Sequence, residues 1–564
     1  GVIWTASFAT VAIGYLNMIS VAFAVLFIGL GIDFGIHFCL RYREEIDRGC
    51  ENEKALRNSA AGAGLALALC APTTAVAFYA FIPTAYAGLG QLGLISGTGM
   101  FIALAASLTV LPALLTVIPV KPKLRTGDVP APGRAAAWVR RHGRPISGSA
   151  LVLGLLALPL IGAARFDIDP MRLRDPGTES VQTVMRLFGD PDSSPYTLQI
   201  LASGDGAAAD LARRLEVLPE VDRAVTLASL IPDDQDEKLE MIDEASLFLM
   251  PVFETGEPDA PPGVPERRAA LADFGAKLMA LEEARASPAL LVGGRRLLEG
   301  LTRFSSKFSD DENAHAALER ALFRFLPHQV DKLGKMLEAD YISRSNLPEK
   351  LRTRYAEPGG QVRIEVFPSD DVSDQDALRQ FVRAVQAVVP DVTGPTVQIV
   401  EAGDAVVGSM RQATLWAAIL ITLFLFVVLR RTRDVLLVLA PLALAGLYTV
   451  AATVLLGLSF NFANVIVLPL LIGLGVDGGI HLVMRARERS SDAALLETST
   501  PRAVLLSSLT TIGSFGSLAI SSHRGTASMG ELLMVAIAIT LVCMLIILPA
   551  MMVWFESPED PDRH

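Results

Sequence analysis

Two acids in this chain stand where an acid is expensive. Asp33 lies inside the apolar run 16–41 and Asp477 inside the apolar run 460–484. At membrane depth a charged carboxyl is strongly disfavoured unless it is paired, hydrated or protonated. No Lys or Arg stands in the interior of either run to neutralise it. A histidine follows each acid at i+4, His37 and His481, on the same helix face one turn further along. Imidazole titrates near neutral pH, so an acid and an imidazole at this spacing can take up and release a proton, as a proton relay requires. The plainer reading is that each Asp hydrogen-bonds to a Thr or Asn across a helix interface and only fixes packing. Recurrence of the Asp-x-x-x-His pattern at two equivalent positions favours the relay. For the histidines, passing protons and reaching toward lipid headgroups fit equally well.

Such residues need long helices in lipid to hold them. The chain has 564 residues, 51% of them hydrophobic and only 19% charged, with a mean hydropathy of +0.43, which marks a membrane protein. A spanning helix takes roughly 20 apolar residues. Segments near 1–13, 16–41, 59–82, 90–119, 146–163, 413–430, 434–457, 460–484, 502–521 and 530–555 qualify or nearly do, the first being too short to span alone. Outside the long polar block between the fifth and sixth runs, 20 of 21 Lys and Arg residues fall on one side under strict alternation, among them Arg41, Arg43, Lys121, Lys123, Arg140, Arg141, Arg485 and Arg487. That side is expected to be cytoplasmic. Arg524 is the exception. Residues 164–411 carry 28 basic against 43 acidic side chains, more than the whole chain's net −11. This acidity argues against a nucleic-acid partner. Four scattered cysteines give neither a disulfide framework nor a metal site. The chain shows no targeting signal, phosphate-binding glycine loop or nucleophile–base constellation, so no cofactor and no enzymatic chemistry are expected.

The sequence repeats itself. Residues 28–38 read IGLGIDFGIHF and 472–482 read IGLGVDGGIHL, an offset of 444 that also aligns Asn17 with Asn461. A second block repeats at offset 437: Thr73-Thr74 with Thr510-Thr511, Phe78 with Phe515, Gly93 with Gly530, and Leu111-Pro112-Ala113 with Leu548-Pro549-Ala550. Gly29, Gly31, Gly473 and Gly475 read as small residues that let helices approach closely, bringing Asp33 and Asp477 together. Glu531, at the start of a helix, suits the helix dipole and needs no further role. The later copy holds one helix, a large domain and five helices; the earlier holds four helices, the first of them partial. Copies of similar size would leave roughly 300 residues missing ahead of Gly1, so the chain reads as an N-terminally truncated fragment.

These features resemble the RND superfamily and, within it, the MmpL-like branch. The residues that carry the resemblance are Gly29-Gly31-Asp33 with Gly473-Gly475-Asp477, the Thr-Thr pairs and the Leu-Pro-Ala endings. Three further stretches resemble the hopanoid biosynthesis-associated RND transporters: FDIDPMRLRDPGTES at 166–180, DQDEK at 234–238, and the run 401–413. The resemblance implies a polytopic α-helical membrane protein of RND fold with an internal two-fold repeat, plus an α+β periplasmic porter domain. It implies a proton relay at Asp33, Asp477, His37 and His481, supported by Thr73, Thr74, Thr510 and Thr511, although those threonines suit plain interface hydroxyls as well. Drug-exporting relatives pair their Asp residues with a Lys, and mycobacterial lipid exporters follow Asp with Tyr. Here the followers are Phe34 and Gly478, which leaves the proton stoichiometry open.

The expected organisation is the last four helices of a first repeat (1–119), a cytoplasmic linker (120–145), the first helix of the second repeat (146–163), the porter domain (164–411), five helices (412–556) and a cytoplasmic tail (557–564). In the porter domain, strand–helix–strand lobes are predicted near 196–227 and near 362–400, the second ending in a strand at Val397–Val400. The helical insert between them carries an apolar face at Leu318, Leu322 and Phe325, read first as core and second as a substrate tunnel. The expected function is proton-motive-force-driven movement of hopanoids from the bacterial inner membrane toward the outer membrane. Its partners would be a hopanoid or related lipid, protons, the membrane and, in one arrangement, a second copy as a homodimer. The alternatives are an RND exporter of another lipid or a hydrophobic drug, and a sterol-sensing, receptor-like protein of the same architecture.

Overall fold

A computed structural model describes residues 1–17, 20–119, 138–139, 141–188, 194–253, 262–280, 288–372, 374–487 and 498–555. The expected tail and residues 120–137 and 140 of the 120–145 linker lie outside them. Contacts divide the chain into two compact units, one of residues 1–200, 213–224 and 365–564, the other of residues 201–212 and 225–364. All four boundaries fall inside the 164–411 segment.

The first unit is a helical membrane body: α1 (Val2–Ala12), α2 (Phe23–Asp47), α3 (Asn52–Tyr79), α4 (Ala87–Val117), α5 (Gly143–Ala157), α6 (Pro395–Leu429), α7 (Thr432–Leu455), α8 (Val467–Arg487), α9 (Ser499–Ala519), α10 (Arg524–Val542) and α11 (Leu548–Phe555). Among the described residues eight helices are long and apolar enough to cross a membrane. The run 502–521, expected to span, forms α9 but is not one of the eight. Eight of its 21 residues are Ser or Thr, which lowers its hydropathy. Two of them, Ser507 and Thr511, are buried where α9 packs on α2 and α10. In α6 the buried stripe Ala413, Ala417, Ile421, Leu425 has a period of four, while Leu415, Trp416, Leu423 and Val427 are exposed, the pattern of a helix with one protein face and one lipid face. Between α10 and α11 the backbone widens into one π-turn, Cys543–Ile547. Pro549 follows directly, and proline has no N–H for the α-helical bond and crowds the preceding turn.

The repeat holds contact by contact. Asn17 donates its side-chain amide to Gln91, and Asn461 donates to Ser528 Oγ at 2.9 Å; these pairs match at the two offsets. Each Asn also caps the start of its helix segment, Asn17 Oδ1 accepting from Ser20 N and Asn461 Oδ1 from Asn464 N. A Cβ on Gly93 would meet the Phe78 carbonyl oxygen at 2.3 Å, and one on Gly530 would meet that of Phe515 at 2.6 Å. Only glycine allows α4 to lie so close to α3, and α10 to α9.

The helix ends away from Arg41 and Arg485 form the distal side. There β1 (Phe166–Asp167) pairs in parallel with β5 (Phe460–Asn461). A three-stranded sheet of order β2 (Leu198–Ala202), β4 (Val362–Pro368), β3 (Val221–Val225) lies mostly in the first unit. The helix Gln375–Val388 buries Leu378, Phe381, Val382 and Val385, as its spacing predicts. The strand predicted at Val397–Val400 is a correction. Those residues belong to α6, which Pro395 opens at its first turn after Gly394 at φ 128°, a conformation glycine accepts and a position proline favours. Val397, Val400, Gly403 and Val406 face inward with helical spacing.

The second unit is mostly helical: Gln235–Phe253, Val264–Ala280, Pro288–Lys307, Glu312–Leu322, Leu326–Leu337 and Glu349–Tyr355. Leu227, Leu347 and Tyr355 pack as a small core. The face at Leu318, Leu322 and Phe325 is not core: Leu322 is 41% and Phe325 68% exposed.

Candidate functional site

The Asp of each repeat is held by the threonine helix of the other. Thr73 Oγ1 donates to Asp477 Oδ1 at 3.1 Å and Thr74 Oγ1 to Asp477 Oδ2 at 2.6 Å. Across the pseudo-two-fold, Thr511 Oγ1 reaches Asp33 Oδ1 at 3.4 Å and also bonds to the carbonyls of Gly29 and Ser507. Ser507 lines the same cavity as Asp33. The symmetry is therefore incomplete. Thr510 bonds the Ser507 carbonyl at 2.7 Å just as Thr73 bonds that of Cys70, but only Thr73 also reaches its acid, so Asp477 has both threonines of its pair and Asp33 one of the corresponding two.

Of the four repeat glycines, Gly473 is the one this crossing requires. A Cβ on Gly473 would meet Ala77 Cβ at 2.5 Å, and one on Gly29 would lie 3.5 Å from Ser514 Oγ. The forbidding approach runs between α8 and α3, while α2 meets α9 at ordinary van der Waals distance; in both, the Asp helix of one repeat packs against the Thr helix of the other. Gly475 faces Leu442 of α7, and Gly31 faces Phe27 of its own helix.

Asp33, Asp477, His37 and His481 line one narrow cavity of about 60 Å³, room for a short file of water. No Lys or Arg is among its lining residues, and neither Asp has an ion pair among the described residues. The two imidazoles are buried and stacked face to face, centroids 3.8 Å apart and planes 10° from parallel. On their other side lies a second cavity of about 40 Å³, lined by Arg41, Arg485 and Ser499 together with both histidines. The stack is the partition between the two spaces. Below it Glu44 accepts from Arg485 at 3.0 Å, from Arg41 at 3.2 Å and from Ser499. Arg487 pairs with Asp434, its Nε 2.7 Å from Oδ2.

Sequence reasoning did not single out Ser507, Cys70, Arg41, Arg485 or Glu44 as part of this column. The signal existed for four of them. Offset 437 aligns Cys70 with Ser507, each beside an Asp, and offset 444 aligns Arg41 with Arg485, each one turn beyond its His. Glu531, expected at a helix start, is a correction: α10 begins at Arg524, so Glu531 lies beyond its first turn, where the dipole effect has faded, and it is outside the cavity lining.

The MMPL family model matches residues 3–149 and 368–561, which hold every residue of this column. The chain belongs to the MMPL family. Curated MMPL-related proteins similar to it include the "Hopanoid transporter HpnN" of Burkholderia multivorans, 36% identical over 98% of this chain and 63% of its own length. The protein of the same name from Rhodopseudomonas palustris is 38% identical over 95% of this chain and 61% of its own length. The chain thus spans about three fifths of the length of these relatives. A more distant MMPL relative is the sulfolipid-1 exporter MmpL8 of Mycobacterium tuberculosis, 26% identical over 30% of the chain and 16% of its own length. Among solved structures, SecDF, a translocon-associated membrane protein from Thermus thermophilus, aligns with a TM-score of 0.50 at 14% identity, covering 98% of this chain and 57% of that one. The fold is accordingly RND-like, and the protein is a multi-pass membrane protein.

Proposed function

We propose that the protein is a proton-driven transporter of the bacterial inner membrane that moves hopanoids toward the outer membrane. The observation that carries this reading is the single column Asp33/Asp477, cavity, stacked His37/His481, second cavity. It runs from carboxyls without a counter-cation to a basic helix end that the charge bias assigns to the cytoplasm. On this assignment residues 164–411 face the periplasm. Protons load the carboxyls from the periplasmic direction and leave past the imidazoles. Two imidazoliums stacked at this spacing would repel by about 4 kcal/mol at an effective dielectric of 20, so the partition passes one proton at a time. Each charge falling through about 100 mV supplies ~2.3 kcal/mol. Loading and unloading Asp477 changes the hydrogen bonds of α3, and loading Asp33 those of α9. The two halves are therefore driven against each other, a rocking of packed helices.

The cargo rests on the similarity to the hopanoid transporters and on a distal cavity of about 770 Å³ whose walls include Tyr86, Ile399, Ala402, Phe462, Ile466 and Met529, with Gln398, His523 and Thr526 as polar points. A mostly apolar chamber with a few fixed polar groups suits a rigid ring system with one polar end. Asp33→Asn and Asp477→Asn, introduced singly into cells, test the reading through the hopanoid content of isolated outer membranes. Loss of outer-membrane hopanoid with accumulation in the inner membrane is expected from each; normal distribution with either would overturn the relay.

A further inference from the structure

Arg524 opposes two rules at once. It is the lone basic residue on the distal side of the membrane segments, against the charge bias of the other 20. It also opens α10, where the positive end of the helix dipole disfavours a cation. Its surroundings add to the positive charge. Arg524 lines a groove of about 630 Å³ together with Arg172, Arg174 and Arg186, with Asp167 as the one acid in the lining. Asp167 is already engaged: its Oδ1 accepts from Gln375 Nε2 at 2.8 Å and from the Asp169 amide at 3.1 Å, and its Oδ2 lies 3.8 Å from Arg172. The side chains of Arg174, Arg186 and Arg524 make no ion pair among the described residues. The remaining walls are mostly apolar, Met171, Pro176, Val181 and Met185, with Gln182 as one further polar group.

Arg172 is shared between Asp167 and Asp169, at 3.8 and 3.7 Å, which leaves the guanidiniums of Arg174, Arg186 and Arg524 at the distal end of a spanning helix and beside a greasy wall, a setting that calls for an amphiphilic anion. We propose that this groove binds the phosphate of a lipid headgroup in the distal leaflet. The planar forks of arginine match phosphate oxygens in pairs, and the amide end of α10 adds donors of the same sign. Met171, Val181 and Met185 give the glycerol and upper acyl carbons an apolar bed, and the volume far exceeds that of a free phosphate ion. The groove lies on one side of the segment 170–174, while Pro170 and Leu173 of the same segment line the large apolar cavity. A bound headgroup therefore braces one wall of that chamber. The assignment does not depend on proton coupling or on the cargo.

The full-length protein in detergent is titrated calorimetrically with dioctanoyl phosphatidylglycerol, dioctanoylglycerol and inorganic phosphate. Phosphatidylglycerol is expected to bind at least about tenfold more tightly than the uncharged diglyceride. The double variant Arg174→Gln/Arg524→Gln is expected to lose that difference, and Arg174→Lys/Arg524→Lys to keep most of it. Equal binding of the two lipids, or wild-type affinity in the Gln variant, overturns the site. Displacement of phosphatidylglycerol by inorganic phosphate at equal affinity assigns the groove to free phosphate and overturns the lipid. Should the double variant aggregate, Arg186→Gln, on the exposed helix Glu179–Phe188, is read by the same criteria.

Discussion

His37 and His481 are 444 positions apart in sequence and lie ring on ring, 3.8 Å between centroids. Each belongs to a different repeat, so the partition between the two cavities exists only where the halves meet. Replacing one imidazole by phenyl keeps a flat ring in the stack and removes the titratable nitrogens. His481→Phe is expected to fold normally and to cut proton flux in proteoliposomes, followed with an entrapped pH dye, by about a hundredfold or more. Flux equal to wild type would remove the histidines from the relay.

The unequal threonine contacts predict unequal variants. Thr74→Val takes from Asp477 its 2.6 Å partner and should lower both stability, by about 1 kcal/mol, and transport. Thr510→Val removes a hydroxyl bonded only to a carbonyl of its own helix and should leave transport near wild type. Transport assays on the two purified variants side by side give the comparison, and equal losses would contradict the crossed geometry.

Gly473→Ala places a methyl 2.5 Å from Ala77 Cβ, whereas Gly29→Ala meets its nearest neighbour at an ordinary 3.5 Å. The first should destabilise by about 1–3 kcal/mol as α8 and α3 are pushed apart. The second should be nearly silent. Thermal unfolding in detergent distinguishes them; a reversed order would mean that the helices separate freely at that point.

Ala405→Trp fills part of the distal cavity without touching the Asp/His column. Expected outcomes are weaker hopanoid binding and loss of export while the membrane body keeps its melting temperature. Unimpaired export would move the lipid path elsewhere.

Much of this column is legible before folding. Two Asp-x-x-x-His strings in apolar runs, at one offset, place the acids and imidazoles at equivalent depths of two helices. What the repeat cannot say is which helix faces which. Equivalence is satisfied whether Thr73 serves the Asp of its own half or of the other, and only packing chooses the crossing. The breaking of symmetry at Thr510 lies in the reach of the facing acid, since Thr73 and Thr510 make the same bond to the carbonyl three residues back. The 397–400 segment fails for another reason. Valines at positions 397 and 400 are compatible with a short strand as well as with a helix face, and the decisive signal was Gly394-Pro395, a helix start rather than a strand lead. Arg524 stood out in the sequence, but its companions lie some 340–350 residues upstream and join it through the turn at 170–174 and the helix Glu179–Phe188.

The continuity of α6 fixes more than its position. Its 35 residues span about 52 Å at 1.5 Å each, with Gly403 pressed on Ile168 in the distal half and Ala413, Ala417 and Ile421 buried in the membrane half. Deleting one residue between Gly403 and Ala413 would turn one end by about 100° relative to the other. Ala417 or Ile421 would then swing toward lipid while Ile168 lost its flat seat. This helix can accept substitutions along its lipid face, but not a change of length between its two anchored ends.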